Sequence, residues 1–505
     1  MKLHPTKTTL FITTLLIAGS SIFYGCKKDK GESLIIKPDL VFVALTNNGT
    51  LQTYNANNLS EITNSTPITG LQTGETILAI DYRPATGQLY GLGSTSRLYV
   101  INSSGKASAI GAASFTPALS GSVAGFDFNP TVDRIRVVTS TGQNLRLHPE
   151  TGAVAATDGN INGAMGASIT SAAYTNSKAG AASTILFDID GLAKKLYKQD
   201  PPNNGTLVEV GSLDIAFASS QSAFDISSTG IALAAFTDGT SSTLYQINLD
   251  KAGTTKLGTF GTTIIGIAIP TEAVAYAVDE ANNLLIFNPS QTDLVTKPIT
   301  GLQASETILG IDFRPVNGQL YALGSTSSLY TINLSSGVAV QVGTPLLTLL
   351  SGSSFGFDFN PVVDRIRVVS NTGQNLRLDP NTGAIAAVDG PLNPGTPSVS
   401  AAAYANNFAG TTATTLFDID FINDKLYKQD PPNTGGLVEI GTLGINVEAA
   451  NGFDIGGTSG TAYAILSVGS SSKLYSVNLT TGAATATGSV VFSNPIKAFA
   501  LGLGF

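Results

Sequence analysis

The stretch Gly125 to Ala153, GFDFNPTVDRIRVVTSTGQNLRLHPETGA, returns almost letter for letter at Gly356 to Ala384 as GFDFNPVVDRIRVVSNTGQNLRLDPNTGA. It belongs to a longer duplication: Asp81 recurs at Asp312 and Arg134 at Arg365, 231 residues on, and Gln199 recurs at Gln429, 230 residues on. Two copies of about 230 residues thus fill the chain from near Pro38 to Phe505. Whatever the fold is, it must be built twice.

Inside each copy runs a weaker repeat of about 46 residues, in the range that marks propellers and solenoids. One unit reads ILAIDYRP, GQLYGLGS, SRLYVINSSG, KASAIG; the next reads AGFDFNP, RIRVVT, NLRLHPETG, AVAATD. Each is four short aliphatic and aromatic runs separated by Pro, Gly, Ser and Asn turn signals, the pattern of a four-stranded antiparallel meander. The first unit lacks its opening strand, while IIGIAIP at Ile264 to Pro270 and KAFALGLGF at Lys497 to Phe505 are left over at the ends of the two copies. A late strand that completes an early blade is how a β-propeller closes its ring and hides its edges. The expected fold is all-β: two tandem five-bladed propellers, with one ten-bladed ring as the alternative. A closing strand in each copy, and a copy length usual for one domain, favour two rings.

Composition agrees with a turn-rich β protein. Charged residues are 12%, against roughly 25% in an average soluble protein, and glycine is abundant at 54 residues. A net charge of −8 and the lack of a Lys/Arg run outside the N-terminus exclude a nucleic-acid partner, which needs a basic patch to displace counterions. Among 505 residues the lone cysteine, Cys26, rules out an intramolecular disulfide.

Cys26 sits at the end of a leader with Lys2 and Lys7 at its start and an apolar run from Leu10 to Phe23. The Gly25-Cys26 junction resembles a bacterial lipoprotein signal, in which the cysteine becomes the lipidated first residue; an uncleaved anchor or a non-lipidated signal is the alternative. The expected layout is a signal peptide over 1–25, a polar tether over 26–38, and propeller repeats over 39–270 and 271–505. No later segment has the roughly 20 uninterrupted apolar residues that span a bilayer, so the expected location is the cell envelope, outer-membrane-attached and facing the periplasm or the surface, with membrane contact through the lipid alone.

The run GFDFNP…DRIRVV…TGQNLRL…TGA, followed by KQDPPN and GFDI, resembles the bacterial family called domain of unknown function 4394, and the resemblance covers both copies. It implies a propeller-like repeat in exported proteins and brings no activity and no catalytic residues.

Several residues could carry chemistry. Opening strands bear Asp81, Asp127 and Asp225, repeated at Asp312, Asp358 and Asp454. Since the first strand of each propeller blade lines the central channel, these carboxylates could bind a cation or act as an acid and base pair; the plainer reading is that each bonds a turn or an arginine. Arg134, Arg136 and Arg146, with Arg365, Arg367 and Arg377, either grip an anionic ligand bidentately or pair between blades, with Asp127 and Asp133 as nearby acids. Gln143 and Asn144, with Gln374 and Asn375, lie in a hairpin turn on the rim and could offer amides to a sugar or peptide. KQDPPN reads as a rigid turn. FDID, with Asp188 beside Asp190 and Asp418 beside Asp420, places two carboxylates on one face and suggests a weak calcium site.

Absences constrain the enzyme hypotheses. Of two histidines, His4 lies in the leader and His148 becomes Asp379 in the second copy, so no duplicated histidine triad or zinc site is possible. No phosphate-binding glycine loop occurs, and zero tryptophan weakens strong sugar stacking, though Tyr82, Tyr90 and Tyr99 remain. The reading is a lipid-anchored binding or scaffolding module for a protein or a surface glycan, without cofactor, metal or catalytic residues. The alternatives are a glycosidase-like hydrolase using carboxylates in the channel and a purely structural spacer. Nothing in the sequence sets an oligomeric state.

Overall fold

Strand after strand alternates β-branched or aromatic residues with small ones, and the computed structural model shows ten four-stranded antiparallel sheets. It describes residues 36–469, 471–487 and 490–505; the leader, Cys26 and most of the tether lie outside them. No helix among the described residues is long and apolar enough to cross a membrane.

Each sheet is a blade whose innermost strand packs on those of the neighbouring blades. In the first copy these inner strands are Ile77–Tyr82, Ala124–Asn129, Ser171–Tyr174, Ser222–Ile226 and Ile264–Ala268. Each touches the next, and Ile264–Ala268 closes the circle against Ile77–Tyr82. The second copy closes likewise through Ile308–Arg314, Phe355–Asn360, Val399–Tyr404, Ala449–Ile455 and Ile496–Leu501. The fold is therefore two five-bladed propellers, and the ten-bladed ring is excluded.

Closure uses the two left-over strands. Ile264–Ala268 pairs antiparallel with Val41–Thr46, Val43 opposite Ala268, and Ile496–Leu501 pairs with Ala275–Asp279, Ala275 opposite Leu501. Each ring is sealed by its own last strand, which covers the inner edge of Val41–Thr46 in the first ring and of Ala275–Asp279 in the second.

Burial falls from the axis outward. The inner strand Ser171–Tyr174 is buried at every residue, whereas the outer strand Val154–Thr157 alternates between half-buried and exposed. Between blades, apolar faces interleave: Tyr90 meets Phe128 edge-on at 5.1 Å between ring centroids, and Tyr321 meets Phe359 in the same way at 5.2 Å in the second ring. Near the axis the backbones come so close that only glycine fits; a Cβ on Gly125 would lie 2.5 Å from the Cβ of Ala172.

The two rings are joined by more than the Pro270-Thr271 link. Tyr276 donates its hydroxyl to the Ala85 carbonyl at 2.8 Å, Gly504 N donates to the Thr86 carbonyl at 2.8 Å, and Asn102 Nδ2 donates to the Ala409 carbonyl at 3.3 Å. Ala85 is buried within the apolar cluster of the second ring that contains Val274, Tyr276 and Leu503.

Candidate functional site

Three places gather the chemically distinctive side chains: the axis of each ring, the cleft between its third and fourth blades, and the junction of the rings.

At the axis, Asp81, Asp127 and Asp225 converge until carboxylate oxygens lie within 4.8 Å of one another, and Asp312, Asp358 and Asp454 do the same in the second ring. The other two inner strands of the first ring carry alanine at this position, Ala173 and Ala268. The aspartates bind backbone rather than the turns or arginines expected for them. Asp81 Oδ2 accepts from Phe128 N at 2.8 Å, Asp127 Oδ1 from Tyr174 N at 3.0 Å and Asp225 Oδ2 from Ile269 N at 2.5 Å, the first two donors standing on the next inner strand around the ring and Ile269 directly after it. Asp81 and Asp225 also accept from the following residue of their own strands, Tyr82 N and Ile226 N. Each carboxylate thus ties neighbouring blades together at the hub, and only Asp127 Oδ2 has no hydrogen-bond donor. Burial, followed by repulsion from Asp225, raises Asp81 well above the ordinary carboxylate range; burial, then Asp81 and Asp225, does the same for Asp127; burial alone lifts Asp225 to about 7. These oxygens are the ones a cation at the hub would use, but calcium takes six to eight.

Between the third and fourth blades, Arg136 stands opposite both Asp127 and Arg146 in the strand register. Its guanidinium turns away from Asp127 and pairs with Asp158, at the end of the outer strand, at 2.6 Å. Arg146 grips the same carboxylate with two bonds, Nε to Oδ2 at 2.7 Å and Nη2 to Oδ1 at 2.9 Å. The remaining Arg136 donors reach Asn144 Oδ1, Asn203 Oδ1 and the Tyr174 hydroxyl. Burial pushes the Asp158 carboxyl up, but the hydrogen bonds from Arg146 and Arg136 outweigh it and hold it below its ordinary value. Arg367, Arg377, Asp389, Asn375, Asn433 and Tyr404 repeat the arrangement. The expected partners Asp127 and Asp133 are thus corrected to Asp158 and Asp389. Strand alternation put the carboxylate and guanidinium of Asp127 and Arg136 on one face, but Asp127 takes the Tyr174 amide of the next blade and Arg136 takes Asp158 at the outer strand of its own blade.

The hairpin amides are spent internally. Asn144 is fully buried, its Nδ2 donating to the Gly159 and Pro202 carbonyls, both at 3.0 Å. Gln143, beside Gly142 at φ +87, accepts from Ser120 N and donates to the Ala118 carbonyl, fastening the loop that enters the blade. Gln374 and Asn375 make the matching bonds. Arg134 donates to the Asp133 carbonyl, and its counterpart Arg365 also lies 3.4 Å from Asp379.

The FDID aspartates do not act as a pair. Asp190 accepts from Ser168 N and Ala193 N and caps a turn. Asp188 is completely buried with neither oxygen hydrogen-bonded; burial raises it to about 8, against the pull of Arg136.

The junction holds residues that sequence reasoning missed. Arg83, fully buried, forms ion pairs with Asp133 and Glu150 in the next blade. Beside it opens a cavity of about 530 Å³, lined by the first two blades, the 270–274 link, Phe408 and Ala409, and the C-terminal residues 503–505. Apart from the matching closing segments 271–273 and 503–505, its walls come from parts of the two copies that are not equivalents of one another, so no repeated motif announces it.

The family model described as Domain of unknown function (DUF4394) matches residues 50–268 and 283–500. No curated protein matches the chain. Among solved structures, one similar chain is that of PorZ, described as an essential bacterial surface component of the type-IX secretion system of human oral-microbiomic Porphyromonas gingivalis. It is 12% identical, with a TM-score of 0.27, over 89% of this chain and 60% of that one. A likeness at that level carries no argument about fold or role.

Proposed function

Since the chain belongs, in both its copies, to the family of the domain of unknown function 4394, whose description brings no activity, we propose on chemical grounds that it is an exported, lipid-anchored double propeller serving as a non-catalytic binding or scaffolding module for a protein or a surface glycan. The leader ending at Gly25-Cys26 supports the anchor, and acyl chains on that cysteine would hold a rigid pair of rings at the envelope on a polar tether.

One observation carries the non-catalytic part. The acids best placed for hydrolysis are packed oxygen to oxygen within 4.8 Å at the ring axis, with Asp81, Asp127 and Asp225 each only 3% exposed. Glycosidase carboxyls stand at least about 5 Å apart, with the scissile bond between them. Here backbone amides of the next blade fill that role, and a sugar ring has no path between the acids.

The test has two arms. Cells expressing the full chain or Cys26→Ala are fractionated, and retention in membranes lost with Cys26→Ala is expected. The protein without its leader is then mixed with purified envelope glycan and, separately, with envelope protein, and co-sedimentation with one of them is expected without release of reducing ends. Glycan cleavage that disappears in Asp127→Asn would replace this reading with the hydrolase. Failure to co-sediment with either fraction would leave the spacer.

A further inference from the structure

The hub of each ring holds more acid than its hydrogen bonds account for. Asp81, Asp127 and Asp225, each 3% exposed, bring one carboxylate oxygen apiece within 4.8 Å of the others. Asp312, Asp358 and Asp454, each 1% exposed, do the same in the second ring. Three acids in one buried spot are costly unless protons or an opposite charge offset them.

Joining the blades explains two acids of each three. Both oxygens of Asp81 accept backbone amides, from Tyr82 and Phe128, and both of Asp225 do so from Ile226 and Ile269. Asp312 and Asp454 are held in the same way. Asp127 takes a single amide on Oδ1, that of Tyr174, and Asp358 takes that of Tyr404 on Oδ1 at 2.9 Å. For such a bond an asparagine would serve as well, because its Oδ1 accepts and its NH₂ would donate to the neighbouring carboxylates. A carboxylate at 127, and again at 358, instead adds an oxygen, Oδ2, that receives no donor. Nor is this oxygen walled in. The unpartnered oxygens sealed from water include both of Asp188 and both of Asp418, but neither Asp127 Oδ2 nor Asp358 Oδ2, which keep a sliver of open surface.

A cation supplies what these oxygens lack. Three oxygens within 4.8 Å of one another share a centre no more than about 2.8 Å from each, in reach of the roughly 2.3–2.6 Å of calcium–oxygen bonds. Oxygens already bonded to an amide keep a second lone pair for the ion. The other hub positions carry Ala173 and Ala268 in the first ring and Ala403 and Ala500 in the second. Their methyl groups supply no ligand and take up little of the axis, so water completes the shell. Carboxylates with water are the ligand set of hard cations, and magnesium, which keeps several of its own waters, has little room among acids this buried.

We infer that each ring carries a calcium-type divalent cation on its axis, held by Asp81, Asp127 and Asp225 in the first ring and by Asp312, Asp358 and Asp454 in the second. The ion clamps three of the five blades at one point, whatever the rings bind elsewhere. Stripped of it, the acids hold protons in its place, and it is this bare state whose stability falls as pH rises.

The experiment uses the whole chain without its leader, freed of metal by chelator and dialysed at pH 8 against calcium chloride, with thermal melts in calcium chloride and in potassium chloride of equal ionic strength. Two calcium ions per chain are expected, bound at about 0.1 mM or tighter, and ten-millimolar calcium, about a hundredfold excess, should raise the melt by roughly 5 °C. Asp127→Asn keeps the oxygen that accepts the Tyr174 amide, so it should fold and bind one ion, and Asp358→Asn should do likewise. The double variant Asp127→Asn with Asp358→Asn should bind none, and its melt should no longer answer to calcium. Asp188→Asn with Asp418→Asn, which changes buried acids outside the trios, should still bind two. Ions kept by the hub double variant, or lost only with Asp188→Asn and Asp418→Asn, would overturn the assignment to the axis. A native chain that takes up no calcium, or whose melt rises equally in potassium chloride, would overturn the cation itself and leave the binding module standing.

Discussion

Arg83 donates Nη1 to the carbonyl oxygen of Gly318 at 3.0 Å, a hydrogen bond that runs from the first ring into the second. The same guanidinium is paired with Asp133 and Glu150 and is fully buried. Burial alone would lower the Arg83 pKa, but the charges of Asp133 and Glu150 outweigh it and raise it well above the ordinary arginine value. One side chain therefore ties two blades of one ring to the face of the other. Its counterpart Arg314 pairs with Asp364 alone and is partly exposed, and Asn381 stands where Glu150 does in the first copy.

That asymmetry predicts unequal costs. Arg83→Met would strand two carboxylates in a buried place, and the loss should reach about 3–5 kcal/mol, as for other broken buried pairs. Arg314→Met leaves one acid that is partly in contact with water and should cost about 1–2 kcal/mol. Urea unfolding of the two variants decides it; equal shifts in midpoint at equal slope would mean that the inter-ring position of Arg83 adds nothing.

The Arg136, Asp158 and Arg146 triad gives a second graded prediction. Arg136 and Asp158 are nearly fully buried, whereas the Arg146 side chain is 32% exposed. Arg136→Met removes the partner of Asn144 Oδ1, Asn203 Oδ1 and the Tyr174 hydroxyl as well as half the grip on Asp158, and about 3–5 kcal/mol of stability should go with it. Arg146→Met leaves Arg136 in place and should cost about 1 kcal/mol. The same order should hold for Arg367→Met and Arg377→Met.

Much of the architecture was legible because a blade has a local signature. Alternating runs and turn residues marked each strand of the GFDFNP blade, and the orphan runs IIGIAIP and KAFALGLGF announced closure before any contact was known. The charges were less legible. Asp127 and Arg136 are opposite in register, so pairing them was the natural inference, but the hub offers Asp127 the amide of Tyr174, and Asp158 at the outer strand offers Arg136 a carboxylate already braced by Arg146. Partner choice depends on what the neighbouring blade and the blade's own outer strand present, which strand periodicity does not encode. The role of Arg83 was invisible for a stronger reason: its bond to the Gly318 carbonyl joins non-equivalent parts of the two copies.

Ring closure makes a prediction about halves. Because Ile264–Ala268 seals the first ring on Val41–Thr46, residues 37–270 expressed alone should fold and unfold in one cooperative calorimetric transition. The half should melt below the full chain, since Arg83 loses the Gly318 carbonyl and Ala85 loses its cover of Val274 and Tyr276. Aggregation without a transition would show that the junction is needed for folding.

The buried acids set the direction of the pH dependence. An aspartate in the unfolded chain titrates near 3.9, whereas burial lifts Asp225 and Asp454 to about 7 and Asp188 and Asp418 to about 8 in the folded chain. The folded state therefore holds more protons between these values. Its extra stability is complete below about pH 4 and is lost as pH rises through about 7 to 8, on the order of a few kcal/mol for each such acid. Thermal melts should accordingly fall from pH 5 to pH 8.5. Substituting both unbonded acids, Asp188→Asn with Asp418→Asn, removes the ionisation without removing a hydrogen bond, so the double variant should match the native chain at pH 5 and melt higher than it at pH 8.5. Asp225→Asn should behave differently: both its oxygens accept backbone amides at 2.5 Å, and an amide NH₂ facing one of those donors costs about 1–3 kcal/mol at every pH. A melt that rises from pH 5 to pH 8.5, or a double variant whose curve stays parallel to the native one, would show that these carboxyls are ionised in the folded rings and that a counter-charge at the hub holds them so.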